Sequence, residues 1–144
     1  MTLTIKLIIL AMAAQAFLSM GILVLLGRER VPRIMSGEIP VAKIAVERDA
    51  YPLKARLLSN NFDNQFQLPV LFYVGAILSL YAAPGWPEAG LAWLFVASRY
   101  IHAYIHVTHN RVTQRFMAYV AGLAILALFW LWLVVRLVIL APSV

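Results

Sequence analysis

The sequence contains no cysteine, and this absence excludes several kinds of chemistry. Disulfide bonds, thiolate metal sites and a cysteine nucleophile all require that side chain. Oxidoreductase chemistry that passes electrons through cysteine pairs to a quinone is excluded for the same reason. If the protein acts on thiols, the thiol therefore has to arrive with the substrate.

Charged residues are also scarce. Only 12% of the 144 residues are charged, whereas 63% are hydrophobic, and the mean hydropathy is +0.84. A water-soluble domain of this size could not bury so much apolar surface. The composition therefore predicts an integral membrane protein.

Four long apolar segments contain most of the hydrophobic residues, at about residues 3–26, 57–83, 91–107 and 116–140. Each is close to or above the roughly 20 residues that an α-helix needs to span the hydrocarbon core. A short Pro- and Gly-rich connection joins the second and third segments, which requires antiparallel neighbours. The sequence thus predicts an all-α membrane protein, with residues 1–144 forming a single up-down bundle of four transmembrane helices.

The first segment shares features with a signal peptide, including a single Lys near its start and small residues around Ala16. Its apolar run continues to Leu26, however, and this is too long for a signal core. We therefore expect the segment to be retained as a transmembrane helix.

Lys and Arg are concentrated in two of the predicted loops. The connection between the third and fourth helices carries Arg111 and Arg115, and the connection between the second and third carries none. The loop over residues 28–56 carries Arg28, Arg30, Arg33, Lys43, Arg48, Lys54 and Arg56. Because basic loops remain in the cytoplasm, both termini are expected outside. The long loop either lies solvated at the membrane interface or covers a site.

A polar stripe marks the start of the second predicted helix. Its members recur every three or four residues, a spacing that places them on one face of an α-helix. They are Arg56, Asn60, Asp63, Asn64 and Gln67. Amide side chains are too short to reach the membrane surface easily, so they either line a pocket or form interhelical hydrogen bonds. We predict a polar pocket.

The end of the third predicted helix carries two opposed polar stripes. Tyr100, Tyr104 and Arg111 share one face, for which an aromatic and basic belt at the headgroup level is the structural alternative. The opposite face carries three histidines, His102, His106 and His109. We expect the histidines to pack within the subunit. Metal binding is the alternative for them, but no carboxylate supports it on that face.

The side chains of the two candidate binding stripes suit one class of ligand. They offer guanidinium groups for carboxylates, amides for peptide groups, a carboxylate for an ammonium and two phenols. This set fits a small zwitterionic peptide with more than one carboxylate, such as glutathione. An arginine near the sulfur would stabilise the thiolate, which is the nucleophile.

The sequence resembles a bacterial-type member of the MAPEG superfamily, the membrane-associated proteins in eicosanoid and glutathione metabolism. The resemblance rests on the four-helix topology, on "RLLSNNFD" at the start of helix two, on "RYIHAY" in helix three, and on Arg111. Two features depart from the family pattern. Asp63 stands where Glu is usual, and Pro69 follows it later than in relatives, so Asn64 and Gln67 are an alternative register for the motif.

The resemblance implies a homotrimer that binds glutathione, as a co-substrate, between adjacent subunits near the cytoplasmic face. The implied binding residues are Arg56, Asn60, Asp63, Asn64, Gln67, Tyr100 and Tyr104. Arg111 and Tyr104 are the implied catalytic residues, because Arg111 would lie at the thiol.

The implied function is that of a glutathione transferase or glutathione peroxidase. A lipophilic electrophile or a lipid hydroperoxide would reach the thiolate from the bilayer. The alternative is a non-catalytic lipid-binding or regulatory membrane protein of the same fold. Neither a metal ion nor a nucleic-acid partner is expected.

Overall fold

The computed structural model describes residues 1–44 and 49–140, and these ranges contain helices and no strand. The helices are α1 (Leu3–Met35), α2 (Val41–Ile44), α3 (Leu53–Asn64), α4 (Leu68–Tyr81), α5 (Trp86–Val107) and α6 (Val112–Val134). A π-helical turn, Val135–Ile139, continues α6. The predicted all-α class is confirmed for the described part of the chain.

Two helical segments among the described residues are long and apolar enough to cross a membrane, Leu3–Met35 and Val112–Ile139. They correspond to the first and fourth predicted spans. The number of spans, four, stays a prediction.

The single helix predicted over residues 57–83 is two helices in the structure. Pro69 has no N–H with which to continue the hydrogen bonding of α3. The chain leaves the helical conformation at Gln67 (φ −103°, ψ −103°) and resumes it in α4 from Leu68. The interruption lies beside the predicted polar stripe, so it separates Gln67 from the rest of that stripe.

The predicted loop over residues 28–56 is partly helical, because α1 continues to Met35 and α3 begins at Leu53. The guanidinium of Arg30 lies 4.3 Å from the centre of the Tyr51 ring. Nζ of Lys54 lies 2.6 Å from a carboxylate oxygen of Glu29, which links α3 to the end of α1. Arg48, also assigned to this loop, lies outside the described residues.

The main apolar core lies between α1, α4, α5 and α6. Phe72 of α4 and Phe95 of α5 stack with ring centroids 4.9 Å apart, and Phe129 of α6 packs against the same ring of Phe72. Two indole N–H groups donate to backbone carbonyls of neighbouring helices, Trp93 to Leu7 at 3.1 Å and Trp130 to Leu71 at 3.2 Å. This core holds α5 and α6, which contribute to the site described below, against α1 and α4.

Gly75 allows α4 to approach α6 closely. A Cβ at this position would lie 2.8 Å from Cε1 of Phe129, a fully buried ring. We expect Gly75→Ala to displace that ring and to lower the free energy of unfolding in detergent by about 1–3 kcal/mol. The matched control is Gly90→Ala, since a Cβ at Gly90 meets nothing within 4 Å. Equal unfolding midpoints for the two variants would contradict this account.

Candidate functional site

A cavity of about 490 Å³ lies between α3, the end of α5 and the start of α6. The first side of its lining comes from α3 and the interruption after it, and consists of Asn60, Asp63, Asn64 and Gln67. The other side comes from α5 and α6, and includes His102, His106, Arg115 and Tyr119. Polar side chains from three helices therefore converge on one space.

The helix-two stripe lies in this cavity, with one exception. Asn60 and Asn64 stand one turn apart on α3, and Asp63 and Gln67 lie beside them. Both possible registers of the sequence motif consequently reach the same space. Arg56 does not line the cavity, because its guanidinium pairs with Asp49 at 3.3 Å and remains 42% exposed.

The opposite face of α3 is fixed by a chain of buried amides. Nε2 of Gln15 donates to Oε1 of Gln65 at 2.9 Å, and Nε2 of Gln65 donates to Oδ1 of Asn61 at 2.9 Å. Nδ2 of Asn61 in turn donates to the carbonyl of Ala103 at 3.5 Å. These bonds tie α3 to α1 and α5, and so determine which face of α3 lines the cavity. The sequence analysis did not single out Asn61 and Gln65, although their four-residue spacing places them on one face.

His102 and His106 are each only 2% exposed, and their ring centroids are 5.7 Å apart. The prediction that the histidines pack within the subunit is confirmed for these two, whereas His109 is exposed. Their position in the cavity was not predicted. Nδ1 of His102 and both ring nitrogens of His106 have no hydrogen-bond partner among the described residues. A ligand in the cavity can supply these partners.

Arg99 is fully buried next to the cavity. Its Nη2 donates to the carbonyl of Asn64 at 3.5 Å, and its guanidinium lies 5.8 Å from the centre of the Tyr119 ring. Its Nε and Nη1 atoms have no partner within residues 1–44 and 49–140. A buried charge without a counter-charge is costly, so this position favours an anionic ligand nearby.

Arg115 brings a second positive charge to the cavity from the first turns of α6. Its Nη1 donates to Oδ1 of Asn110 at 2.9 Å. The sequence analysis counted Arg115 only as a basic loop residue. The sequence spacing could have identified Arg115 as a site residue, because Arg115 and Tyr119 are four residues apart and therefore share one face of a helix.

Tyr100, Tyr104 and Arg111 do not line this cavity in the same subunit. The hydroxyl of Tyr100 donates to the carbonyl of Ala14 at 2.9 Å, and Tyr104 is 65% exposed. Arg111 is exposed at the residue before α6. On α5 the two tyrosines point away from the buried histidines, so one subunit alone does not unite them with the helix-two stripe. Their role as site residues stays a prediction.

The charges around the cavity suit an anion with amide groups better than a metal ion. Arg99 and Arg115 are both close, and their positive charge opposes cation binding. No group of three or more His, Asp or Glu residues suited to a metal is found within the described part of the chain.

Comparison with known proteins identifies the family. No curated protein and no solved structure matches the chain. The model of the MAPEG family matches residues 8–135, which is most of the sequence. The protein therefore belongs to the MAPEG family.

Proposed function

We propose that the protein is a glutathione-dependent membrane enzyme, a transferase or peroxidase that activates the thiolate for attack on lipophilic molecules. The observation that carries the proposal is the cavity, in which amides, a carboxylate, two buried histidines and Arg115 converge. Membership of the MAPEG family supports it, since that family includes glutathione transferases and peroxidases.

The cavity offers a partner for each polar group of glutathione. Asn60, Asn64 and Gln67 present amides that can bond to the peptide groups of the ligand. Asp63 supplies a carboxylate for the ammonium group, and the positive charge of Arg99 favours a carboxylate of the ligand. Glutathione would therefore bring negative charge close to Arg99 and Arg115.

Arg115 is the residue that we assign to the thiol. A guanidinium beside the sulfur stabilises the thiolate, and the N-terminus of α6 adds positive potential. The ring nitrogens of His106, which have no partner among the described residues, can form hydrogen bonds with the ligand. The earlier assignment to Arg111 then requires that this side chain reach the thiol from a neighbouring subunit.

Two reactions of the thiolate fit this arrangement. In conjugation, the sulfur forms a bond to an electrophilic carbon as the leaving group departs with its electron pair. In peroxide reduction, the sulfur attacks a hydroperoxide oxygen, the O–O bond breaks, and an alcohol and a sulfenic acid form. A second glutathione reduces the sulfenic acid to the disulfide and water.

The assembly that we propose is a homotrimer with four membrane spans in each subunit. The lipophilic second substrate reaches the site from the lipid side. The basic loops lie in the cytoplasm and both termini outside, in a bacterial inner membrane. Tyr100, Tyr104 and Arg111 are on the exposed side of α5 and the α5–α6 turn, where a neighbouring subunit can use them. The homotrimer would then complete each site with residues from two chains.

Glutathione binding to the detergent-purified protein tests the proposal. Isothermal titration calorimetry should give a dissociation constant that Gln67→Leu weakens roughly tenfold, the loss expected for a hydrogen bond to a polar ligand. The control is Gln114→Leu, because Gln114 is exposed and lies outside the cavity. Equal effects of the two substitutions would contradict the cavity as the binding site.

A non-catalytic lipid-binding role is the alternative, and one further surface favours it. A groove between α1 and α5 is apolar along Phe17 and Leu25 and ends at Arg28. Its shape and charge fit an acyl chain with an anionic headgroup. If millimolar glutathione gives no heat of binding while anionic lipid raises the unfolding temperature, the lipid-binding role replaces the enzyme.

A further inference from the structure

Gln15 is a fully buried polar residue within the apolar helix α1. Its Nε2 donates to Oε1 of Gln65 at 2.9 Å, and its own Oε1 has no partner within residues 1–44 and 49–140. Gln15 does not line the cavity. An apolar side chain could fill this position without burying an amide, so the glutamine points to a role for its hydrogen bond.

Gln65 belongs to the interruption between α3 and α4, and it is 2% exposed. The N–H groups of Gln65 and Phe66 donate to carbonyls three residues earlier, at 3.0 and 3.1 Å, so α3 ends in a tight turn. Pro69 has no N–H with which to continue the helix. The side-chain bonds of Gln65 to Gln15 and to Asn61 therefore anchor a segment that regular helical bonding does not hold.

The anchored segment carries two residues of the cavity lining. Asn64 precedes Gln65 and Gln67 follows it by two positions, and both line the cavity. Without Gln15, the Oε1 of Gln65 would be buried without a donor, which costs the desolvation energy of that oxygen. The cavity is a polar space in which Gln65 could regain a partner, but only by displacing Asn64 or Gln67.

We propose that Gln15 is a positioning residue of the site, because its amide holds Gln65 and thereby fixes the cavity side chains of Asn64 and Gln67. This inference rests on the proposed function, since it assumes that glutathione bonds to those two amides. A ligand binds more weakly when the arrangement that it requires is populated for only part of the time. Helix α1 would then determine ligand affinity without contacting the ligand in its own subunit.

Gln15→Met tests the proposal, because it keeps an unbranched side chain of similar length and removes the amide. We expect the dissociation constant of glutathione, measured by calorimetry in detergent, to rise roughly fivefold, the scale of one hydrogen bond. In a Gln65→Met background the same substitution should have no further effect, because its partner is already absent. An unchanged dissociation constant in Gln15→Met, or an equal further loss in the Gln65→Met background, would overturn the inference.

Glu88→Gln is the control for a general loss of stability. Glu88 is fully buried and pairs with Arg136 near the other end of α5, and it does not line the cavity. Its substitution should destabilise the protein and leave the dissociation constant of glutathione unchanged. If Glu88→Gln weakened binding as much as Gln15→Met does, the effect of Gln15 would be one of stability, and the positioning role would be refuted.

Hydrogen exchange separates this inference from the proposed function, because it needs no ligand. Gln15→Met should speed exchange of the backbone amides of Gln65 and Phe66 roughly fivefold, and should leave that of Phe95 in the core of α5 unchanged. If the wild-type protein binds no glutathione, the proposed function fails and this measurement alone decides whether Gln15 holds the segment. Faster exchange at Gln65 and Phe66 alone would support it, whereas equal exchange, or faster exchange at all three residues, would overturn it.

Discussion

Arg115→Ala is expected to abolish the thiolate absorbance of bound glutathione and to lower kcat for conjugation roughly 100-fold. A loss of that size is typical when one group that stabilises developing or fixed negative charge is removed from a preorganised site. Glutathione affinity should fall far less, because the peptide part of the ligand would still contact the amides of α3 and Gln67. Ultraviolet absorbance titration and steady-state kinetics with a lipophilic electrophile measure both effects.

Arg111→Ala is the matched comparison, because it removes the same kind of side chain four residues earlier, at the residue before α6. Arg111 is exposed and lies outside the cavity of its own subunit, so its loss should leave most of the thiolate signal. The reverse ranking, with the signal lost in Arg111→Ala and kept in Arg115→Ala, would show that the thiolate is stabilised by a neighbouring subunit. That result would contradict the assignment made here and favour the one predicted from the sequence.

Glu88→Gln is expected to lower the free energy of unfolding by about 3 kcal/mol, the lower end of the cost of breaking a buried ion pair. The carboxylate of Glu88 is fully buried, pairs with Arg136 and also accepts the N–H of Gly85 at 3.0 Å. Nη2 of Arg136 donates to the carbonyls of Ala82 and Ala83 at 2.6 and 2.5 Å, so the pair joins the α4–α5 turn to the end of α6. Loss of the carboxylate would leave Arg136 without a counter-charge there.

Denaturant titration in detergent measures this effect, with two comparisons. Adding Arg136→Leu to Glu88→Gln should recover part of the stability, because no buried charge then lacks a partner. Lys54→Ala should change stability little, since Lys54 is 68% exposed in its pair with Glu29. Glutathione affinity should not change in Glu88→Gln, because the length of α5 between Glu88 and His102 separates the ion pair from the cavity by roughly 20 Å. Equal losses in Glu88→Gln and Lys54→Ala would contradict a structural role for the buried pair.

Hydropathy was enough to predict where most of the helices lie, because a long apolar segment is either buried in the protein or faces lipid, regardless of which helices pack against it. It did not predict the interruption at residues 65–67. Pro69 provides the physical reason, but proline inside an apolar segment is tolerated in membrane helices often enough that its presence alone does not fix a break. The extension of α1 to Met35 was missed because charged residues such as Arg28 and Glu29 end an apolar run without ending a helix.

The residues that α3 contributes to the candidate site were predicted from the sequence. Those of α5 and α6 were predicted only in part. Helical periodicity groups residues by face, and it placed Asn60, Asp63 and Asn64 together as the structure does. It also separated the tyrosines from the histidines of α5. Periodicity cannot say which of two opposed faces meets α3, because that depends on how the helices pack, and the motif resemblance favoured the tyrosines. Within one subunit the histidine face meets it.

The proposed assignment of the thiol to Arg115 rather than Arg111 depends on where α6 begins. Arg115 lies inside the helix, so its direction follows from the helical repeat that also carries Tyr119. Arg111 precedes the helix, and the conformation of a turn is set by residues such as Asn110 rather than by a repeat.

The buried guanidinium of Arg99, whose Nε and Nη1 have no partner in the described part of the chain, would link the folding of this protein to the supply of an anionic ligand. Any anion that binds beside Arg99 in the folded state, and has no comparable site in the unfolded chain, shifts the folding equilibrium towards the folded state by mass action. A cell rich in such an anion would hold more of the chain in its folded form and lose less of it to proteolysis. The amount of protein would then follow the concentration of the molecule that it binds, without any change in its synthesis.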